Sequence, residues 1–251
     1  MKAKIKYLLI SIVSVIVVLA AWQLCSSTGV VDQHLVSSPW GVITSAKQLA
    51  LSGQLGSSVA VSAELLFVGL AISIVVGTIL GMLIGWIKVM AAVFEPFVIM
   101  IYAMPTIALL PVLLAWFGIG FRTQVVMVFV ISVFPILVSV MTGTRNVDNS
   151  LIRLARSFRA SEYKILRTIV LPSIVPYFVG GVRLGIGAGL IGVVVAEYFL
   201  GENGIGGLIV KEGALLQIGP VFVGLIVLAL GSLALTSLLR SIEKRVRKWS
   251  K

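Results

Sequence analysis

The segment RNVDNSLIRLARSFRASEYKILRTIVLP, residues Arg145–Pro172, decides how this chain is built. It carries Arg145, Arg153, Arg156, Arg159, Lys164 and Arg167 against only Asp148 and Glu162. Two long apolar runs, at about 124–143 and 177–200, enclose it. An Arg or Lys at the centre of a membrane helix costs about 2.5–3.5 kcal/mol on the insertion scale, so this segment lies outside the hydrocarbon. The flanking runs have the opposite character, because about 20 apolar residues in a helix match the thickness of a bilayer core. A basic connection is therefore held at a membrane surface by the two spans that carry it.

Working outward, further apolar runs occupy about 61–86, 92–119 and 218–239, and one at about 7–25 follows Lys2, Lys4 and Lys6. The first run is longer than the roughly 7–15-residue core of a cleaved signal peptide and reads as a retained helix. The whole chain of 251 residues is 59% hydrophobic and 12% charged, against roughly 25% charged residues in soluble domains. The expected fold is all-α and polytopic, with about six transmembrane helices. The net charge of +11 does not signal nucleic acid, because the cations gather between the apolar runs.

With a cytoplasmic N-terminus, the inside segments hold Lys2, Lys4, Lys6, Lys88, the cations of the long connection, and Arg240, Lys244, Arg245, Arg247, Lys248 and Lys251. The outside segments hold only Lys47, Arg122 and Lys211. The positive-inside rule selects this arrangement, with both termini in the cytoplasm of a multi-pass cell (inner) membrane protein. The expected organisation is an anchor and external connection over 1–56, a transmembrane domain over 57–241 and a basic cytoplasmic tail over 242–251. Pro96, Pro105, Pro111 and Pro135 fall within spans, where neighbouring helices can satisfy the carbonyls that proline frees. Pro105 and Pro111 are candidates for a translocation or gating role.

Gly77, Gly81 and Gly85 recur at four residues, as do Gly181, Gly185 and Gly189. Each trio lies on one helix face and predicts close helix packing. Glu64, Glu95, Arg183 and Glu197 are the ionisable residues in or beside spans; each is expected near a span end, within snorkelling reach. Arg183 and Glu197 are also candidates for a role in translocation, since ionisable groups in spans are commonly functional. Cys25 and His34 are each single, which leaves no thiol cluster for a metal and makes His34 an ordinary loop residue.

Inside the basic connection, Leu151, Leu154, Ala155 and Phe158 fall at helical spacing, Asp148 can cap the helix, and the arginines fall largely on its other side. A second helical piece begins near Ser161; Pro172 is expected to stop it and Pro176 to open the next span. An apolar stripe on a surface helix is buried against lipid, its own bundle or a partner's groove.

These residues resemble a known family. Leu154-Ala155-Arg156-Ser157-Phe158-Arg159-Ala160-Ser161, followed by Ile169-Val170-Leu171-Pro172, looks like the EAA loop of ABC importer permeases: Glu-Ala-Ala, three residues, Gly, nine residues, then Ile-x-Leu-Pro. Ala108–Gly120 (ALLPVLLAWFGIG), Gly180–Gly185 (GGVRLG) and Gly192–Gly207 (GVVVAEYFLGENGIGG) look like the sulfonate, nitrate and taurine branch. Two positions depart: Arg153 stands where the family has Glu, and Arg159 where it has Gly. Without the glycine, a more continuous helix or a shifted bend is expected.

The resemblance implies a type I ABC importer transmembrane fold and a permease for a small solute such as a sulfonate, taurine or nitrate. It implies a second permease subunit, usually a copy of itself, a cytoplasmic ATPase dimer and an extracytoplasmic substrate-binding protein. ATPase docking would fall to Leu151, Arg153, Leu154, Ala155, Arg156, Phe158, Arg159, Ala160, Ser161, Leu171 and Pro172. No phosphate loop of the Gly-x-x-x-x-Gly-Lys-Ser/Thr type occurs, so the chain is expected to be a non-catalytic subunit with no cofactor of its own, ATP being bound by the partner. A vitamin precursor such as riboflavin or a thiamine pyrimidine is the alternative cargo. An ion-gradient-driven transporter is the alternative class, and would call for inverted repeats and midplane ionisable groups.

Overall fold

The computed structural model describes residues 2–28, 36–201 and 203–247. His34 and the last residues of the basic tail, 248–251, lie outside them. The described residues form helices and connections with no strand among them. In chain order the helices are α1 (Lys2–Ser27), α2 (Pro39–Leu51), α3 (Gln54–Trp86), α4 (Lys88–Ala103), α5 (Leu110–Phe117), α6 (Phe121–Arg145), α7 (Asn149–Ser157), α8 (Glu162–Ile165), α9 (Leu171–Leu200), α10 (Gly204–Ala214) and α11 (Ile218–Arg247).

Among the described residues, four helical stretches are long and apolar enough to cross a membrane: Gln54–Trp86, Phe121–Arg145, Glu162–Leu200 and Ile218–Leu239. The run expected as one span over 92–119 is instead a broken pair, α4 and the stretch Thr106–Phe117, bent by 97°. Pro105 explains the break. It holds Met104 in an extended conformation (ψ 139°), as a following proline demands, and the chain re-enters helix through a short 3₁₀ turn with Pro111 in the first turn of α5. Counting that pair as one span gives five. The expected first span falls in α1, where several side chains before Val13 lie outside the described residues.

The long stretch Glu162–Leu200 corrects a second expectation, since Pro172 does not stop it. A proline ring crowds the carbonyl four residues back, here that of Thr168. That carbonyl lies in a widened π turn over Leu166–Val170, where the Leu171 N–H reaches back five residues to the Leu166 carbonyl. Such a turn is a known way for a helix to absorb a local misfit without ending.

The chain divides into two compact units, one of 1–61 with 202–228 and one of 62–201 with 229–251. In the first, Val42, Leu49, Leu208 and Val223 form a core. Trp22 stacks at a tilt on Phe222 with ring centres 5.3 Å apart and donates its indole N–H to the Ser37 carbonyl at 2.8 Å. In the second, α6 is the most enclosed helix, and glycine faces meet it from two sides. A β-carbon on Gly81 of α3 would stand 2.7 Å from the Leu137 carbonyl oxygen, and one on Gly85 2.8 Å from that of Met141. On α9, β-carbons at Gly181 and Gly185 would stand 2.8 Å from side-chain atoms of Ser139 and Ile136. Gly77 and Gly189 also approach α6, where their β-carbons would stand 3.0 Å from the Val133 carbonyl oxygen and 2.7 Å from the Ser132 hydroxyl. Absent side chains let these backbones approach, which is how membrane helices gain dispersion contact without a hydrophobic drive between them.

Candidate functional site: the basic connection between α6 and α9

The connection is built from the cap upward. Asp148 holds an extended conformation and accepts the Ser150 N–H at 2.7 Å, which satisfies one of the first free donors of α7. Hydrogen bonds from Ser150, with the Arg153 charge a lesser contribution, hold the Asp148 carboxyl below the usual carboxylate range. The helix runs to Ser157 and closes through Arg159, whose φ is +55°. The Arg159 N–H donates to the Arg156 carbonyl at 2.9 Å and the Ala160 N–H to the Ala155 carbonyl at 3.0 Å, the paired bonds of a Schellman ending.

This corrects the expectation drawn from Arg159. The helix is not continued and the turn is retained, with an arginine carrying the left-handed conformation that glycine adopts more easily. The two reverse bonds, and the packing of Ala155 and Ala160 against the core, supply what the missing glycine would have made easier.

Ser161 then caps α8, accepting the Lys164 N–H at 3.3 Å. Arg156 of α7 donates two hydrogen bonds to Glu162, Nε to Oε1 at 2.9 Å and a terminal nitrogen to Oε2 at 3.2 Å, which raises the guanidinium pKa and ties α7 to α8. Both partners are more than half exposed, so the pair orients the helices more than it stabilises them. Arg145, the last residue of α6, makes a similar two-point contact with Glu95 of α4 at 2.6 and 2.8 Å.

The apolar residues of α7 divide between two faces. Ile152 is buried, with Val147, Ile165, Val170 and Ile174 in the same core and Ala155 packed against it. Leu151, Leu154 and Phe158 point outward, 46, 54 and 79% exposed, and Tyr163 of α8 is also exposed. Arg153, Arg159, Ser161, Leu171 and Pro172 are also exposed. Sequence reasoning missed Ile152, the anchor that holds the helix to the bundle. Its spacing of three from Ala155 was the available signal.

The other candidate residues lie elsewhere. Pro105 and Pro111 are exposed and frame the break between α4 and α5. Arg183 is exposed on α9. Glu197 does not snorkel: it is completely buried and accepts the Ser62 hydroxyl at 2.6 Å. The reason is helix phase, since Glu197 follows Gly189 by eight residues and shares its buried face. That phase was legible in the sequence, whereas nothing in the sequence marks Ser62, 135 positions away, as its partner.

An all-helical membrane protein with a capped, basic surface helix slung between two spans is the class that this fold and site define. Residues 73–248 match the family described as binding-protein-dependent transport system inner membrane component, and the chain belongs to that family. It is thus the permease component of a binding-protein-dependent ABC importer. The chain is 28% identical over 233 residues to a protein of Bacillus subtilis (strain 168) described as an aliphatic sulfonates transport permease, SsuC, covering 93% of this chain and 84% of that one. It is 32% identical over 234 residues to the SsuC permease of Escherichia coli (strain K12), covering 93% and 89%. Its fold is similar to that of a chain in the MetNI methionine ABC transporter, solved in inward-facing conformations: TM-score 0.65 at 19% identity, over 80% of this chain and 98% of that one. The type I importer fold expected from the sequence is the fold observed.

Proposed function

We propose that the chain moves a small organic oxyanion of the sulfonate class, taurine included, and draws its energy from a separate cytoplasmic ATPase that grips α7 and the turn after it. A second copy of the chain completes the translocation path, and an extracytoplasmic binding protein delivers the solute. The basic connection and both termini face the cytosol, as the distribution of Lys and Arg supports. The likeness to two sulfonate permeases over most of their length supports the cargo class.

The observation that carries the docking role is the division of α7. Ile152 is sunk in the bundle core while Leu151, Leu154 and Phe158 stand exposed at helical spacing. An apolar row of that kind on a rigidly held helix fits a groove in a partner. Rigid mounting matters because a push on the helix then reaches the spans directly: Val147 and Ile165 share a core with Ile136 and Val140 of α6. Arg153, in place of an acid, can only donate hydrogen bonds, so the facing group on the ATPase is an acceptor.

The test is co-purification. Leu154→Asp with Phe158→Asp is expected to abolish recovery of the ATPase while the protein still inserts in the membrane. Undiminished ATPase recovery refutes the docking role. Uptake of radiolabelled taurine or an alkanesulfonate, lost on deleting the chain and restored by supplying it, tests the cargo; uptake of riboflavin instead would replace it.

A further inference from the structure

The geometry points to an anionic phospholipid site at the membrane boundary, with the lipid phosphate taken by Lys88, Arg145 and Arg156 and an acyl chain laid along α3. Two cavities share Trp86 as a wall. The first, about 490 Å³, is lined by Trp86, Lys88, Arg145, Asn149 and Arg156 among others. The second, about 300 Å³, is lined by Ile79, Met82, Leu83, Trp86, Tyr163 and Leu166, with Glu162 its one charged residue. Ile79, Leu83 and Trp86 recur at helical spacing, so this apolar trough runs from the end of α3 into the span. A polar cationic chamber opening beside an apolar trough has the chemistry of an amphiphile.

The charges decide which amphiphile. Each guanidinium has five N–H donors. Arg145 spends two on Glu95 and Arg156 two on Glu162, so both keep donors for a further anion. Lys88, exposed at the first turn of α4, belongs to neither ion pair. Three cations against two carboxylates leave an excess positive charge, which an anionic headgroup neutralises and a zwitterionic one does not. Trp86 and Tyr163 supply the aromatic rings that favour headgroup depth. Basic pockets between spans are known to hold anionic headgroups. The inference shares Arg156 with the α7 docking surface but does not require the ATPase, because Lys88 and Arg145 lie outside α7.

The experiment is native mass spectrometry of the full-length protein released from mild detergent after exposure to equimolar phosphatidylglycerol and phosphatidylcholine. The wild type is expected to retain phosphatidylglycerol at least fivefold over phosphatidylcholine. Lys88→Glu is expected to cut that preference about fivefold or more, the worth of a single basic residue near a membrane surface. Lys47→Glu, an exposed lysine in the other compact unit, is expected to leave it unchanged. If Lys88→Glu does not elute as a single folded species, Lys88→Gln takes its place. Equal retention of the two lipids by the wild type, or full preference in the Lys88 variant, overturns the site. Release of the lipid by excess inorganic phosphate overturns the lipid assignment in favour of a free-phosphate site. ATPase recovery is read separately, so failure here leaves the docking proposal standing.

Discussion

Replacing Arg159 with glycine should tighten the turn that ends α7. Arg159 sits at φ +55°, and its N–H and that of Ala160 close the helix onto the Arg156 and Ala155 carbonyls at 2.9 and 3.0 Å. A left-handed conformation costs an L-residue with a β-carbon about 1–2 kcal/mol. Glycine removes that strain but adds about 0.4–1 kcal/mol of freedom to the unfolded chain. The net gain is about 0.5–1 kcal/mol, because the exposed arginine side chain gives up little packing. At about 1.4 kcal/mol per factor of ten, the two amides at the turn should exchange about two- to fivefold more slowly in Arg159→Gly. Hydrogen exchange read by mass spectrometry on a peptide covering Phe158–Ala160 measures this. Arg159→Val should speed exchange beyond the wild type, since a β-branched residue tolerates positive φ poorly. Exchange that is unchanged or faster in the glycine variant would refute the strain argument.

Three other substitutions test separate parts of the structure. Gly81→Ala places a β-carbon 2.7 Å from the Leu137 carbonyl and is expected to cost about 1–3 kcal/mol, seen as a lower thermal unfolding midpoint in detergent, whereas Gly56→Ala, with nothing within 4 Å, is tolerated. Ser62→Ala removes the hydroxyl that Glu197 accepts at 2.6 Å and is expected to cost about 1–3 kcal/mol by the same assay; Ser57→Ala, whose hydroxyl bonds only its own helix at the Gln54 carbonyl, serves as the comparison. Asp148→Ala removes the cap of α7 and should increase protease cleavage within 149–157. Because the Asp148 pKa is lowered on folding, its contribution is complete above its ordinary value of 3.8 and fades only as pH falls through the lower folded value. The wild type should therefore lose part of this helix's protection in that acid range, and the alanine variant, which lacks the cap throughout, should lose less there.

Much of the fold was legible because a bilayer imposes a one-dimensional rule: apolar length crosses it and clustered arginines do not. The spans over 61–86, 124–143, 177–200 and 218–239 and the basic connection follow from that rule. The glycine triplets and the Asp148 cap follow from helix periodicity and local hydrogen bonding, which also act within a few residues. Two of the expectations failed where local requirements competed. Pro105 broke a run whose composition read as one span, and Pro172 failed to break one because the π turn absorbed it.

The amino-acid sequence by itself determined the class of protein, four of its long spans, and the place of the surface helix. Only the tertiary structure decided which way each side chain of that helix faces, that Arg159 keeps the turn, and that Glu197 is sealed against Ser62. The physical reason is range. Hydropathy and periodicity sum over neighbouring residues, but the partner of a buried side chain is chosen by the packing of helices far apart in the chain.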